Sequence, residues 1–129
     1  MEISGFGIHE QALKFRAQRN EVLSSNIANA DTPGYKARDI NFADVLKNAD
    51  TARLSMKKTR AAHQDAWNTL RGGGRLMYRM PMQPSLDGNT VEADVEQAAF
   101  AENAIQYRAT LAFLDGKIRT LRLAIKGSE

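Results

Sequence analysis

The sequence predicts an all-α-dominated chain whose long N- and C-terminal helices pack as a coiled coil, with a partly extended or disordered basic middle segment. Three observations predict it. From Ile8 to Ala30 the apolar residues fall within one arc of a helical wheel, about 140° wide at 100° per residue. From Phe100 to Ile125 apolar residues recur at alternating spacings of four and three, a heptad seam. Between them, Lys47 to Met82 keeps no sustained period, and Arg53 to Arg79 holds seven basic residues against one acid, Asp65.

The first helix opens at Ser4 or Gly5, and its arc holds Ile8, Ala12, Phe15, Val22, Leu23, Ile27 and Ala30. Thr32, restricted by the following Pro33, ends it near Ala30. Arg19 and Asn26 fall inside the apolar arc, where an unpaired buried polar group costs about 1–3 kcal/mol. Each must therefore be paired, exposed in the monomer, or both in turn. Pro33-Gly34 suits the centre of a type II turn, because Pro fixes the first φ and Gly accepts the positive second one. Tyr35 to Asn41 then reads as extended, and Phe42 to Leu46 as one or two helical turns with Asn41 as N-cap.

The middle is expected to be poorly ordered in the isolated monomer. Its Trp67, Leu70, Leu76, Met77, Tyr78, Met80 and Met82 argue against permanent disorder and point to ordering on assembly. Asp87-Gly88 is a turn, and Asn89 with Glu92 three residues later offers a capped start for the last helix. Its seam comprises Phe100, Ala104, Tyr107, Leu111, Leu114, Ile118, Leu121 and Ile125, about 38 Å long at 1.5 Å per residue. Glu92, Asp94 and Glu96 lie in its first turns and Lys117, Arg119, Arg122 and Lys126 toward its end, as the helix macrodipole favours, and Gly127 provides the stop. Residues 1–42, 43–90 and 91–129 thus form three parts, of which the first and last make one domain.

Composition limits what such a chain can do. At 129 residues it holds one core at most. Its 43% hydrophobic content is ordinary, but only 7% is aromatic and much of the rest is Ala, so no large private core is expected. There is no Cys, hence no disulfide framework and no thiolate chemistry. No apolar run reaches the length of a bilayer span, and MEISGFGIHEQALKF lacks the basic start and continuous apolar segment of a cleaved signal peptide.

The net charge of +3 sits in the middle: residues 1–42 carry five basic and five acidic side chains, 43–90 eight and four, and 91–129 five and six. No basic stripe follows either patterned helix, which weighs against a nucleic-acid surface. Enzyme chemistry has few candidates: two His, no HExxH or GxSxG motif, and a Gly72-Gly73-Gly74 run without the Lys-Ser/Thr of a phosphate loop. No catalytic residue, cofactor site or metal site is expected.

The stretches LSSNIANADTPGYKARDINF and DGNTVEADVEQAAFAENAIQYRATLAFLDGKIRTLRLAIKG together closely resemble the bacterial flagellar basal-body rod family. Ser25-Asn26-Ile27-Ala28-Asn29 and Thr32-Pro33-Gly34-Tyr35 carry the first match, a signature shared by rod and hook proteins. Asp87-Gly88-Asn89, Glu102-Asn103, Tyr107 and the seam after Leu114 are similar to the family's proximal-rod branch. The resemblance implies a structural subunit whose terminal helices pack in the inner tube of an axial rod, arrayed helically around an export channel. It also implies passage through the type III export gate without signal-peptide cleavage, and assembly in the periplasm. The partners implied are further copies of the chain, FlgC and FlgF in the rod, and FliE at the membrane-ring junction.

On this reading Arg19, Asn26, Ile27 and Asn29 belong to the assembly signature, with Asn26 and Asn29 bonding across subunits. Thr32, Pro33, Gly34 and Tyr35 set the exit angle of the chain, and Leu111, Leu114, Ile118 and Leu121 form the intersubunit seam. Phe42 and Leu46 fit a Phe-x-x-x-hydrophobic pattern resembling an export-gate signal. The alternative is a small basic helical binding module, either a nucleic-acid adaptor or a secretion chaperone. Steep salt dependence of binding would mark the adaptor, and stable folding in the cytoplasm the chaperone.

Overall fold

In the computed structural model the described residues are 6–47 and 76–127. Helix α1 spans Phe6–Ala28, strand β1 Arg38–Ile40, a short helix α2 residues 42–47, strand β2 Leu76–Tyr78 and helix α3 Ala93–Lys126. The chain is helix-dominated, and the long terminal helices pack together as expected. They run antiparallel: Asn26 of α1 meets Glu96 of α3, whereas Arg16, ten residues earlier, meets Asn103 and Gln106.

Local chemistry explains the joints. Tyr35 N–H donates to Thr32 C=O at 3.2 Å and Gly34 has φ +73°, the turn that Pro33-Gly34 calls for. Asn41 caps α2 by accepting from Ala43 N–H at 3.0 Å. At the far end Gly127 adopts φ +71° and stops α3. Asn89, in contrast, does not cap α3. The N-cap of α3 is Glu92, which makes no side-chain capping bond. Asn89 Nδ2 donates instead to the carbonyls of Asn29, Ala30 and Thr32 at 3.0, 2.8 and 2.8 Å, so it closes the C-terminal end of α1. The residue type was right for a cap, but the helix end it serves lies some 60 residues away.

Residues 76–90, grouped with the middle on sequence, are bound to the helix pair. β2 pairs antiparallel with β1 in the register Arg38↔Tyr78, Asp39↔Met77, Ile40↔Leu76. Gly34 N–H donates to Asp87 C=O at 2.9 Å, Thr90 N–H to Tyr35 C=O at 2.9 Å, and Lys36 Nζ to Gly88 C=O at 2.8 Å. Trp67, Leu70 and the Gly72-Gly73-Gly74 run lie outside the described residues.

The apolar core is small, as composition implied. Phe15, Ile40 and Val45 are buried together with Val22 and Phe42 packed on them, and the Phe15 and Phe42 rings tilt at 46° with centroids 4.9 Å apart. Leu23 and Ala37 are also fully buried.

Candidate assembly site

The residues that looked misplaced on α1 sit at the centre of its buried face. Asn26 has no exposed surface, and both its donors and its acceptor are used within the chain. Nδ2 donates to Arg38 C=O at 2.7 Å and to Glu96 Oε2 at 3.0 Å, while Oδ1 accepts from Arg38 N–H at 3.1 Å. Within the chain, α3 and β1 thus take both amide hydrogens of Asn26 and one of the two acceptor sites of its oxygen. Asn29 too is engaged locally, donating to Ser25 C=O at 2.7 Å and accepting from Thr32 Oγ1 at 3.1 Å.

Glu96, likewise without exposed surface, completes a chain of charges. Arg79, one residue beyond β2, pairs with Glu96 through one guanidinium nitrogen and with Asp39 Oδ2 at 2.6 Å through another. Arg19 closes on the same carboxylate, Nε to Oδ1 at 3.0 Å and NH2 to Oδ2 at 3.2 Å. α1, β1, the segment after β2 and α3 thus meet at one polar cluster: Arg19, Asn26, Asp39, Arg79 and Glu96. Farther along α3, buried Asn103 donates to Arg16 C=O at 2.8 Å.

A buried ionic cluster of this kind adds little net stability, since desolvation offsets most of the attraction. Its effect is on register: sliding α3 by one turn would strand Glu96 and Asn103 against apolar surface. Glu96 and Asn103 lie seven residues apart, as do Arg19 and Asn26, so each helix carries its polar pair in one heptad row. The heptad spacing of Glu96 and Asn103 is visible in the sequence, but an acid in the first turns of a helix also suits the macrodipole, which hides its buried role. Asp39 and Arg79 carried no local signal, because their pairing depends on the β1–β2 ladder.

Burial pushes the Asp39 carboxyl up, but hydrogen bonds from Arg19, the Ile40 N–H and Arg79 outweigh it and hold the group below the usual carboxylate value. The same bond to Asp39 raises Arg19. A carboxyl depressed in the folded state stabilises it above the unfolded pKa of about 3.9, and that contribution disappears as pH falls through the folded value. The urea midpoint is therefore expected to hold between pH 7 and 5 and to fall below about pH 4. Asp39→Asn should flatten that acid limb; an unchanged limb in the variant contradicts the assignment.

The seam residues Phe100, Ala104, Tyr107, Leu114, Ile118 and Leu121 are half-buried, whereas Leu111 and Ile125 are exposed. The deepest line on α3 is the polar one of Glu96 and Asn103, and the apolar seam runs beside it. Large apolar side chains remain uncovered elsewhere: Met80 and Met82 after β2, and Ile105, Phe113 and Leu123 on α3. Ile27 and Tyr35 are half-buried, and Thr32, Pro33 and Gly34 are exposed at the turn. Phe42 packs on Phe15 and Leu46 is half-buried. Among the described residues no group of His, Asp and Glu converges to hold a metal ion, and no helix is long and apolar enough to cross a membrane.

A family model described as flagella basal body rod protein matches residues 6–36, that is α1 and the turn after it. Curated relatives named flagellar basal body rod protein FlgB match nearly the whole length. That of Cereibacter sphaeroides is 50% identical over 121 residues, 94% of this chain and 93% of its own. That of Escherichia coli strain K12 is 47% identical over 116 residues, 85% of this chain and 84% of its own. That of Salmonella typhimurium is 42% identical over 124 residues, 92% and 90%.

Proposed function

The chain belongs to the FlgB family of flagellar basal-body rod proteins, and from that premise we propose that it builds the proximal rod by helical assembly through its terminal helices. Its part in the flagellar basal body is structural. The assembled helices form a segment of the axial drive shaft and line the export channel. The observation that carries this reading is the surface: among the described residues more large apolar side chains are exposed than buried. A monomer that leaves Ile105, Phe113, Met80 and Met82 in water gains by covering them, and neighbouring subunits are what covers them.

The neighbours are further copies of this chain, FlgC and FlgF along the rod and FliE at the membrane-ring junction. The rod stands in the periplasm, reached through the type III export gate without a cleaved signal peptide. A small apolar core beside a buried ionic cluster suits a chain that must unfold to pass a channel, because little packing has to be undone. Thr32 to Tyr35 fixes the angle at which the chain leaves the helix pair.

Leu114→Asp on the seam tests the assembly role. Expression and export are expected to stay nearly intact while rod assembly and swimming stop, scored in motility agar and by secreted-fraction immunoblot; normal swimming removes Leu114 from the interface. Phe42→Ala with Leu46→Ala tests the export signal. The pair also loosens the Phe15 core, but export of an unfolded chain does not need that core, so retention in the cytoplasm would report recognition alone. Secretion at the wild-type level disposes of the signal.

A further inference from the structure

Three of the chain's five methionines, Met77, Met80 and Met82, fall within a short stretch, and the fold treats them differently. Arg79 N–H donates to Ala37 C=O at 2.9 Å, which carries the ladder one residue past β2, and the Arg79 side chain turns inward to Asp39 and Glu96. Successive side chains of an extended segment point to opposite sides, so Tyr78, Met80 and Met82 are directed outward. Their exposure agrees, 70% for Tyr78 and 90% for each methionine. Met77 shares the inward side with Arg79; it is 41% exposed and lines a cleft with Phe15, Ile40 and Phe42.

Methionine is among the residues most often buried, and an exposed thioether is open to oxidants. The backbone beneath Met80 and Met82 is fastened without either side chain: Arg79 holds one end, and Met82 N–H donates to Glu92 Oε1 at 2.8 Å at the other. Both sulfurs can therefore change chemically while the fold keeps its fastenings. The chain has no Cys thiol to compete for the oxidant.

We propose that Met80 and Met82 form a reversible oxidation site, each taking one oxygen atom from hypochlorous acid or hydrogen peroxide. A sulfur lone pair forms the new S–O bond as the O–Cl or O–O bond breaks, and chloride with a proton, or water, is released. Sulfur is oxidised by two electrons and the oxidant is reduced by two. Methionine sulfoxide reductases reverse the step with two electrons and two protons, releasing the oxygen as water, and full return needs one enzyme for each sulfoxide epimer. Each oxidation turns an apolar tip into a polar one on the outward side of the strand. The consequence for function rests on reading the chain as a rod subunit: a chain oxidised before assembly keeps its fold but is not incorporated.

The purified full-length chain, treated with limiting hypochlorous acid and read by tandem mass spectrometry, is expected to form sulfoxide at 80 and 82 about twofold faster than at 77, or more, following exposure. Reductases of both epimer specificities should return it to thioether. Oxidation at 77 as fast as at 80 and 82, or sulfoxide that the reductases leave in place, overturns the proposal. Met80→Gln with Met82→Gln imitates the polar state: its urea midpoint should match the unsubstituted chain while swimming falls more than about tenfold. A midpoint that drops shows that the fold depends on these side chains, and normal swimming shows that the polar state is tolerated; either overturns the switch. Absence of the unsubstituted chain from basal bodies would defeat the rod reading and the expected effect on swimming, whereas the positions, rates and reversal of oxidation on the purified chain are decided separately.

Discussion

A Glu96→Ala chain is expected to lose about 3–5 kcal/mol of stability, the cost of breaking a buried ion pair by removing one partner. Glu96 has no exposed surface and faces both the Arg79 guanidinium and Asn26 Nδ2. Its removal leaves a half-buried cation with only Asp39 and strands one amide hydrogen of Asn26 in a dry contact. The core of Phe15, Ile40 and Val45 is too small to absorb a loss of that size, so the variant should be largely unfolded at 25 °C. Urea unfolding followed by circular dichroism measures it, with Glu96→Gln as the companion that keeps the shape and an acceptor for Asn26. A loss below about 1 kcal/mol for Glu96→Ala would mean that the cluster is not the fastening of the fold.

Ile105→Asp together with Phe113→Asp should have the opposite profile: a chain that folds as before and does not support swimming. Both side chains are 69% exposed, so the monomer loses little when they become polar. In an assembly each would place a carboxylate in a contact between helices, and an uncompensated buried charge there is expected to abolish it. Swarm diameter and the urea midpoint, measured on the same variant, separate the two effects. Full motility would remove the outward face of α3 from the interface; a midpoint that collapses along with motility would show that these residues serve the monomer instead.

What sequence could give and what it could not divide along a physical line. Helix α1, helix α3 and the turn at Thr32 to Tyr35 depend on local chemistry, namely apolar periodicity, a pre-proline restriction and a glycine able to take φ +73°. Those features are legible residue by residue. The β1–β2 ladder is not, since Asp39 opposite Met77 depends on a pairing across the whole middle of the chain. Arg79 in sequence is one more cation in an unpatterned basic stretch, and Asn89 has the type and place of a cap for the helix it precedes; only the fold brings Glu96 and the end of α1 to them. Arg19 and Asn26 were recognisable as needing partners. Their partners within the chain come from β1 and α3, which a sequence pattern on α1 cannot point to.

Family membership and the uncovered surface of α3 meet in one claim, that this chain is a structural part of the rod and is finished by its neighbours. The composition of isolated basal bodies tests it most directly. Basal bodies purified from motile cells are expected to contain the chain in the rod, and cells whose sole copy carries Ile105→Asp and Phe113→Asp should export the chain yet yield basal bodies without a rod. A complete rod from which this chain is absent would contradict the account.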